Sequence, residues 1–253
     1  MTAYPYKTRL QWAGATFCAL VAGYLDGYGL LFLKTYVSFM SGNTTSTGVN
    51  IGSAKFGAAS NAALAVICFV AGSFFGSLLA QSKARHIHRV IFACVALLLG
   101  AVAGLEWYGP GNTAFEIALL CLAMGVVNPA LTKIGVEPVS LTFVTGTLNR
   151  IGGHLASAAG RKPLTDSNGD GDSHLRRAAL DASVWSGFIG GAVLAGMLLP
   201  GLRAWALLPP CAVMVLLGVF SDRAPTSEKP VASHGHDGSV GIVPQESRKR
   251  AAS

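Results

Sequence analysis

The chain has 253 residues, of which 51% are hydrophobic and 12% are charged, and its mean hydropathy is +0.49. An ordinary soluble domain carries about 25% charged residues. The few charges lie in short clusters between long apolar runs, which excludes a soluble fold. The net charge of +7 lies in those clusters, so it indicates orientation in a membrane and attraction to lipid rather than nucleic-acid binding. We predict an all-α integral membrane protein.

Six apolar runs are long enough to cross roughly 30 Å of hydrocarbon, which takes about 20 helical residues. In chain order they cover about 12–33, 62–80, 90–107, 114–131, 182–199 and 204–220. In the last run, Pro209 and Pro210 predict a kink or a break, because proline lacks the backbone N–H that a helix interior needs. About six transmembrane helices are therefore expected.

A short polar motif follows the first run and again the fourth. Both copies read Phe, any residue, a hydroxyl residue and Gly, then five residues and a second Gly, from Phe39 to Gly48 and from Phe143 to Gly152. The segments around them, about 35–56 and 139–159, are rich in Gly, Ser, Thr and Asn. Non-helical backbone at membrane depth is tolerated only inside protein or beside a cavity. We expect both segments to be re-entrant or interfacial.

The distribution of basic residues predicts the topology, because cytoplasmic loops carry an excess of Lys and Arg. If neither motif segment crosses and the N-terminus is inside, most of the 19 basic residues lie in the cytoplasm. If both segments cross, giving eight spans, the cluster of Lys83, Arg85 and Arg89 moves outside. Six spans with both termini in the cytoplasm are therefore favoured.

Three spans in each half imply that the second half enters the membrane from the opposite side. The halves are then inverted repeats, an arrangement that recurs in secondary transporters. Gly72-x3-Gly76 in the second span and Gly187-x3-Gly191 in the fifth support this duplication, because small residues let helices approach closely in lipid. The alternative is a chance match, since the chain contains 31 glycines.

This topology divides the chain into four parts. They are a cytoplasmic N-terminal tail over 1–11, a first membrane repeat over 12–107, a second over 114–220 with a cytoplasmic loop over 160–181, and a disordered cytoplasmic tail over 221–253.

Two pairs of motifs carry a resemblance to a known family. Gly23–Asp26 followed by Phe39–Thr44, and Met124–Pro129 followed by Thr142–Leu148, resemble the YoaK-like family of small bacterial multi-pass membrane proteins, a domain of unknown function. The resemblance covers both membrane repeats and implies a bacterial inner membrane and about six spans, but no activity. The chain departs from the family pattern at Val127, where Gln is usual, and in a longer cytoplasmic loop.

Asp26 is the sharpest candidate for a functional site, because a charge at the bilayer centre costs about 2.5–3.5 kcal/mol and usually faces the bundle interior or a cavity. It predicts a proton or cation site. The alternative is that Asp26 caps a backbone end where the helix breaks at Gly27 and Gly29. Asn128 holds the matching place in the fourth run, and Pro129 predicts that this helix ends or breaks there.

The motif segments supply the other candidates for contact with a small solute or ion, which are Ser41, Gly42, Asn43, Thr44, Thr145, Gly146 and Thr147. The alternative is that these residues form purely structural turns. Gly42 and Gly146 permit tight turns or close approach. Ser41 and Thr145 are candidate helix N-caps, and a helix that begins there would point its positive end toward the middle of the protein.

No enzyme constellation is present in the sequence, so neither catalytic residues nor a cofactor are expected. Asp166–Asp172 resembles the start of a calcium loop, but Arg177 stands where the bidentate Glu is required, so no metal site is expected. The expected partners are the lipid bilayer and, for a transporter, a small solute or ion, with no nucleic acid, and the oligomeric state stays open. Two functions remain: a small-solute or ion transporter, or a non-transporting membrane scaffold or sensor.

Overall fold

The structure is a computed structural model. It describes residues 6–82, 86–109, 112–130, 133–134, 137–138, 144–164, 172–202 and 205–221. Several predictions fall partly outside these ranges: the two terminal tails, the cluster at Lys83 and Arg85, the acidic loop at 165–171, and Thr142 and Phe143 of the second motif.

The described part of the chain is built from eight α-helices. They are α1 (Tyr6–Tyr28), α2 (Met40–Gly52), α3 (Phe56–Gln81), α4 (Ile87–Tyr108), α5 (Thr113–Val127), α6 (Val144–Ala159), α7 (His174–Leu202) and α8 (Leu208–Ser221). A π-helical turn, Gly29–Leu33, continues α1, and a 3-10 turn, Asn128–Ala130, follows α5. Strands β1 (Lys133–Ile134) and β2 (Glu137–Pro138) form one small antiparallel pair. The helical fold class is confirmed.

Four segments are long and apolar enough to cross a membrane by length and composition: Trp12–Leu33, Phe56–Gln81, Ile87–Trp107 and His174–Leu202. The other two predicted runs contain α5 and α8, which are apolar but only 15 and 14 residues long. At about 1.5 Å per residue, each rises only about 20 Å. Four of the six predicted runs therefore have the length of a span.

Helix α7 begins at His174, well before the predicted start at residue 182. Hydropathy excluded this stretch because it contains Arg177 and Asp181. Both residues are nevertheless buried, and each is ion-paired, so the helix begins with charges that are compensated inside the protein. The loop predicted over 160–181 therefore ends before His174.

Of the kink or break expected at Pro209 and Pro210, the structure shows no kink inside α8 but a break in the sixth run just before the prolines. Helix α8 begins at Leu208, which places both prolines in its first turn. The N–H groups of a first turn have no partner within the helix, so proline is tolerated there. The prolines mark the start of this helix.

The helices pack mainly in pairs. Helix α1 lies along α7, α3 along α5, and α4 along α8, while the short helices α2 and α6 lie along α3 and α7 respectively. The largest fully buried side chains come from several of these helices and include Leu25, Ile91, Leu99, Leu120 and Met124. Large apolar side chains are also exposed on the outside, as lipid contact requires, for example Phe74, Leu97 and Met197.

Glycines bring α1 and α7 into backbone contact. A Cβ on Gly23 of α1 would overlap the carbonyl oxygen of Phe188, and a Cβ on Gly191 of α7 would overlap that of Leu20. Each glycine thus lies against the carbonyl three residues before the other. The pair can pack this closely because neither glycine has a side chain.

The same reciprocal contact joins α3 and α5. A Cβ on Gly125 of α5 would overlap the carbonyl oxygen of Phe69, and a Cβ on Gly72 of α3 would overlap that of Leu122. The spacing is again three residues on both helices. Two helix pairs, distant in sequence, therefore share one packing arrangement.

Both predicted Gly-x3-Gly pairs lie against a partner helix over two successive turns. Gly72 and Gly76 meet the carbonyls of Leu122 and Val126, and Gly187 and Gly191 meet those of Thr16 and Leu20. The reciprocated glycines are Gly72 and Gly191, which hold different places in their pairs. Spacing alone does not show which turn of a helix faces its partner.

We predict that Gly23→Ala and Gly125→Ala each destabilise the protein by about 1–3 kcal/mol, because the added methyl group forces two backbones apart. Gly14→Ala and Gly100→Ala are the matched controls, since a Cβ at either position meets nothing within 4 Å. Thermal unfolding of purified protein in detergent measures the difference. Equal melting temperatures for all four variants would contradict the packing described above.

Candidate functional site

Asp26 lies near the end of α1 and is only 5% exposed. Its Oδ1 accepts backbone N–H groups from Val37 at 2.8 Å, Ser38 at 2.6 Å and Phe39 at 3.4 Å. Its Oδ2 accepts the hydroxyl of Ser38 at 2.8 Å. Four donors thus surround one buried carboxylate, and hydrogen bonds of this kind are stronger than those between neutral groups. Asp26 ties α1 to the segment that leads into α2.

The chain reverses direction between α1 and α2. The π-helical turn ends at Lys34, whose φ of 54° is left-handed, and Thr35 N–H donates to the carbonyl of Gly29 at 3.2 Å. A Cβ on Gly29 would overlap the carbonyl oxygen of Thr35, so the reversal requires a glycine there. After the reversal, Asp26 binds the backbone of the three residues that precede Met40. The sequence left two roles open for Asp26, an ion site or a cap on free backbone N–H groups, and the hydrogen bonds seen here are those of a cap.

Asn43 holds the same reversal from the other side. It is buried in α2, where its Oδ1 accepts the N–H of Tyr36 at 3.0 Å and its Nδ2 donates to the Tyr36 carbonyl at 2.7 Å. One side-chain amide therefore satisfies both backbone groups of one loop residue. Thr44 is exposed, and its hydroxyl donates to the carbonyl of Met40 at 2.9 Å within the helix.

Gly42 and Ser41 lie inside α2, so the N-cap considered at Ser41 is wrong, and of the two alternatives for Gly42 the structure shows a close approach and not a tight turn. A Cβ on Gly42 would lie 2.5 Å from the ring of Phe39 and 3.1 Å from that of Tyr36. The glycine makes room for these two rings, which pack edge to face at 5.2 Å. Ser41 is exposed, and Asp26 satisfies the N–H groups before the helix instead.

The second motif lies at the start of α6. Thr145 is exposed and Gly146 is half-buried, and both lie inside the helix, so the N-cap and turn expectations are wrong here as well. Thr147 is buried, and its Oγ1 accepts from Nη2 of Arg150 at 3.3 Å. Thr147 corresponds to Asn43 in the first copy. The same motif position is buried in both copies.

Sequence reasoning missed an ion pair between α6 and α7. Arg150 Nη2 lies 2.9 Å from Asp181 Oδ1, and Arg150 Nε lies 3.1 Å from Oδ2, a bidentate arrangement. The side chains of Arg150 and Asp181 are 23% and 4% exposed. The sequence placed Asp181 at the end of the cytoplasmic loop over 160–181 and Arg150 in the motif segment before it. Nothing in the local sequence pairs two residues so far apart.

The predicted end of the fourth helix is confirmed. Helix α5 stops at Val127, and Asn128 begins a 3-10 turn that packs against α3. Asp26, by contrast, binds the segment before α2. The candidate residues therefore lie in two groups, one around α1 and α2 and the other along α5, α6 and α7, and within the described ranges no extensive contact joins α2 to α6.

A second acidic group was also missed. Glu116 in the first turn of α5 is only 3% exposed, and Glu106 of α4 lies close enough to interact with it. The hydroxyl of Tyr28 lies 3.5 Å from Oε1 of Glu106. The available signal was a Glu inside each of two apolar runs.

Comparison with known proteins places these motifs in a wider group. The family described as "Protein of unknown function (DUF1275)" matches residues 14–220. The "UPF0700 transmembrane protein RA0705" of Rhizobium meliloti (strain 1021) is 30% identical over 207 residues, which cover 82% of this chain and 84% of the relative. The "UPF0700 transmembrane protein YoaK" of Bacillus subtilis (strain 168) is 28% identical over 158 residues, covering 58% of this chain and 67% of the relative. No solved structure matches the chain.

We predict that Asp26→Ala lowers the melting temperature far more than Asp26→Asn. The alanine leaves the buried N–H groups near Val37 and Ser38 without an acceptor, at about 1–3 kcal/mol for each group. The asparagine keeps one acceptor oxygen. Ser41→Ala, at an exposed position on α2, is the control and should melt like the wild type. Equal melting temperatures for Asp26→Ala and Ser41→Ala would show that the carboxylate does not hold the reversal.

Proposed function

Because the chain belongs to the family described as "Protein of unknown function (DUF1275)", we propose its function from its geometry: it is a small-solute or ion transporter of the bacterial inner membrane. It consists of two inverted halves, α1 to α4 and α5 to α8, and it catalyses no chemical reaction. That it is a multi-pass membrane protein follows from its apolar helices and from its transmembrane relatives.

The observation that carries the proposal is the repeated packing arrangement. Exchanging the two halves turns the α1–α7 pair into the α5–α3 pair, and these two pairs share the reciprocal glycine contacts. In the same way, α2 packs on α3 in the first half as α6 packs on α7 in the second. Helices α4 and α8, which correspond to each other, pack together. Three apolar runs in each half make the relation an inversion, as in many secondary transporters.

The short helices support a transport role. Transporters with inverted repeats place their sites at interrupted helices near the middle of the bilayer. Here α1 continues into a π-helical turn and is followed by the short helix α2 of 13 residues. Helix α5 ends in a 3-10 turn, and the strands β1 and β2 come before the short helix α6 of 16 residues. Helices α5 and α8 are just as short but apolar, so polarity separates the two groups: α2 and α6 carry the Gly, Ser, Thr and Asn residues of the motif segments, which favours re-entrant segments.

We assign different roles to the polar residues of the two segments. Asp26 and Asn43 position α2, since their hydrogen bonds are made to the backbone of the reversal. Solute contact falls to the exposed motif hydroxyls, Ser41 and Thr145, which occupy the same motif position, together with Asn128. These residues lie on both halves, as an alternating path requires.

The second candidate function is a non-transporting membrane scaffold or sensor. The saturated hydrogen bonding of Asp26 favours it, because a packing role accounts for this carboxylate without any ligand. The reciprocal glycine contacts are also compatible with a scaffold. A scaffold does not need interrupted helices in both halves, so these helices favour the transporter.

The proposed orientation has both termini in the cytoplasm. Reporter domains fused after Gly111 and after Asp170 should report the outside and the inside respectively, because three spans separate the N-terminus from Gly111 and one more precedes Asp170. Alkaline phosphatase and green fluorescent protein fusions make the two measurements. Fusions that report the same side would exclude the inverted arrangement.

We predict that proteoliposomes containing the wild type take up at least one solute from a panel of inorganic ions, amino acids and sugars. The double variant Ser41→Val/Thr145→Val should reduce that uptake about tenfold or more, which corresponds to about 1.4 kcal/mol of lost contact. Both side chains are exposed, so the melting temperature should not change.

Leu155→Ala is the matched control for that experiment. Leu155 is exposed on α6 and carries no polar group, so its replacement should leave uptake as in the wild type. If wild-type vesicles take up no more of any solute than protein-free vesicles, the scaffold function is favoured.

A further inference from the structure

Each motif helix has an exposed face of small and polar residues. In α2 this face consists of Ser41, Thr45, Gly48 and Gly52, and in α6 of the corresponding residues Thr145, Asn149, Gly152 and Ala156. All of them are exposed, and their spacing of four, three and four residues places them on one side of a helix. They are called the α2 face and the α6 face below.

The polar side chains at the start of each face keep their hydrogen-bonding groups free. Among the described residues, none is a hydrogen-bond partner to these four side chains, which are those of Ser41, Thr45, Thr145 and Asn149. Elsewhere on α2, by contrast, the hydroxyls of Thr44 and Thr47 donate to carbonyls of their own helix at 2.9 Å. The two faces are therefore the places where both motif helices can bind something else.

Hydrocarbon does not suit these faces. A hydroxyl or an amide in lipid finds no hydrogen-bond partner, and the long helices expose large apolar side chains such as Leu97 and Met197 instead. The space over the glycines is open, since a Cβ on Gly48 or Gly152 would meet nothing within 4 Å. Free polar groups beside open space favour water and a small hydrogen-bonding molecule.

The charges beside the faces argue against an ion as that molecule, and neither face includes a charged residue. The carboxylate of Asp26 lies 2.6 Å from the N–H of Ser38, just before α2, and repels an anion from the start of that helix. Its oxygens already accept four donors, which leaves it no role as a ligand for a cation. In α6, Arg150 is paired with Asp181 at 2.9 Å.

We propose that Thr45 and Asn149 are solute-binding residues, one turn beyond Ser41 and Thr145, and that the solute is a small uncharged molecule with several hydroxyl groups, such as a polyol or a sugar. Hydroxyl and amide side chains both donate and accept, which matches a molecule that does the same. The assignment rests on the proposed transport function, because it names the substrate class of that transporter.

The glycines give the proposal a steric test. Gly48 and Gly152 hold the same motif position, one turn after Thr45 and Asn149. A large side chain there fills the open space without a clash, so Gly48→Leu and Gly152→Leu should each lower uptake about tenfold or more at an unchanged melting temperature. Gly100→Leu is the control, because a Cβ at this position of α4 also meets nothing within 4 Å.

Thiol labelling tests the faces without any transport. Thr45→Cys and Asn149→Cys, each in the full chain in lipid nanodiscs, are treated with a charged, water-soluble methanethiosulfonate. Leu97→Cys is the lipid-facing control, since Leu97 is 74% exposed on α4, and the wild type gives the background of the native cysteines. We expect both face variants to react about tenfold or more faster than Leu97→Cys, because a charged reagent does not enter hydrocarbon.

The same reaction identifies the solute class. Glycerol, ribose and glucose are compared with glutamate, lysine and sodium chloride at equal osmolarity. At least one uncharged compound should slow the labelling of both face variants several-fold, whereas the charged compounds should leave it unchanged. The double variant Thr45→Val/Asn149→Leu should then lower the uptake of that compound about tenfold or more.

The outcomes separate this assignment from transport itself. Protection by an uncharged compound without uptake would support the binding residues and exclude the transporter. Uptake restricted to charged solutes, or unchanged in Thr45→Val/Asn149→Leu, would keep the transporter and overturn the assignment. Labelling of Thr45→Cys and Asn149→Cys no faster than that of Leu97→Cys would overturn it as well, as would the absence of protection by every uncharged compound.

Discussion

The architecture depends on close backbone contact at glycines. In lipid there is no hydrophobic force to drive helices together, so association relies on packing and close approach. Gly23 against Phe188 and Gly125 against Phe69 provide that approach in two helix pairs. Each pair joins a helix from the first half of the chain to one from the second. The short helices α2 and α6 then lie along the outer helix of each pair.

Upon this common arrangement the two halves carry different chemistry. In the first half, Asp26 and Asn43 bind backbone groups of a tight reversal, and their hydrogen bonds do not involve another charged side chain. In the second, the Arg150–Asp181 ion pair and a contact between His154 and His174 join two helices through ionisable side chains. The first half thus uses backbone hydrogen bonds to fix a reversal of the chain, whereas the second uses side-chain contacts to hold one helix against another.

Sequence patterns predicted the helical class, the apolar runs and the helix end before Asn128, because each depends on composition or on proline within a few residues. They failed at the start of α7, where charges that hydropathy assigned to a loop are ion-paired in a helix. They also failed at Ser41, which lies inside α2 because a carboxylate from α1 satisfies the preceding N–H groups. Glu116 was overlooked because one acidic residue hardly changes the average hydropathy of its run.

Composition and local spacing were enough to show a membrane protein with a twice-repeated motif, since a low charge content and apolar length are properties of the chain itself. The sequence of one helix does not show which of its turns contacts the partner helix. The pairing of Gly72 with Leu122, the fourfold binding of Asp26 and the contact between His154 and His174 all join residues brought together by folding. Spacing along one helix limits the possible faces, but only the partner helix selects among them.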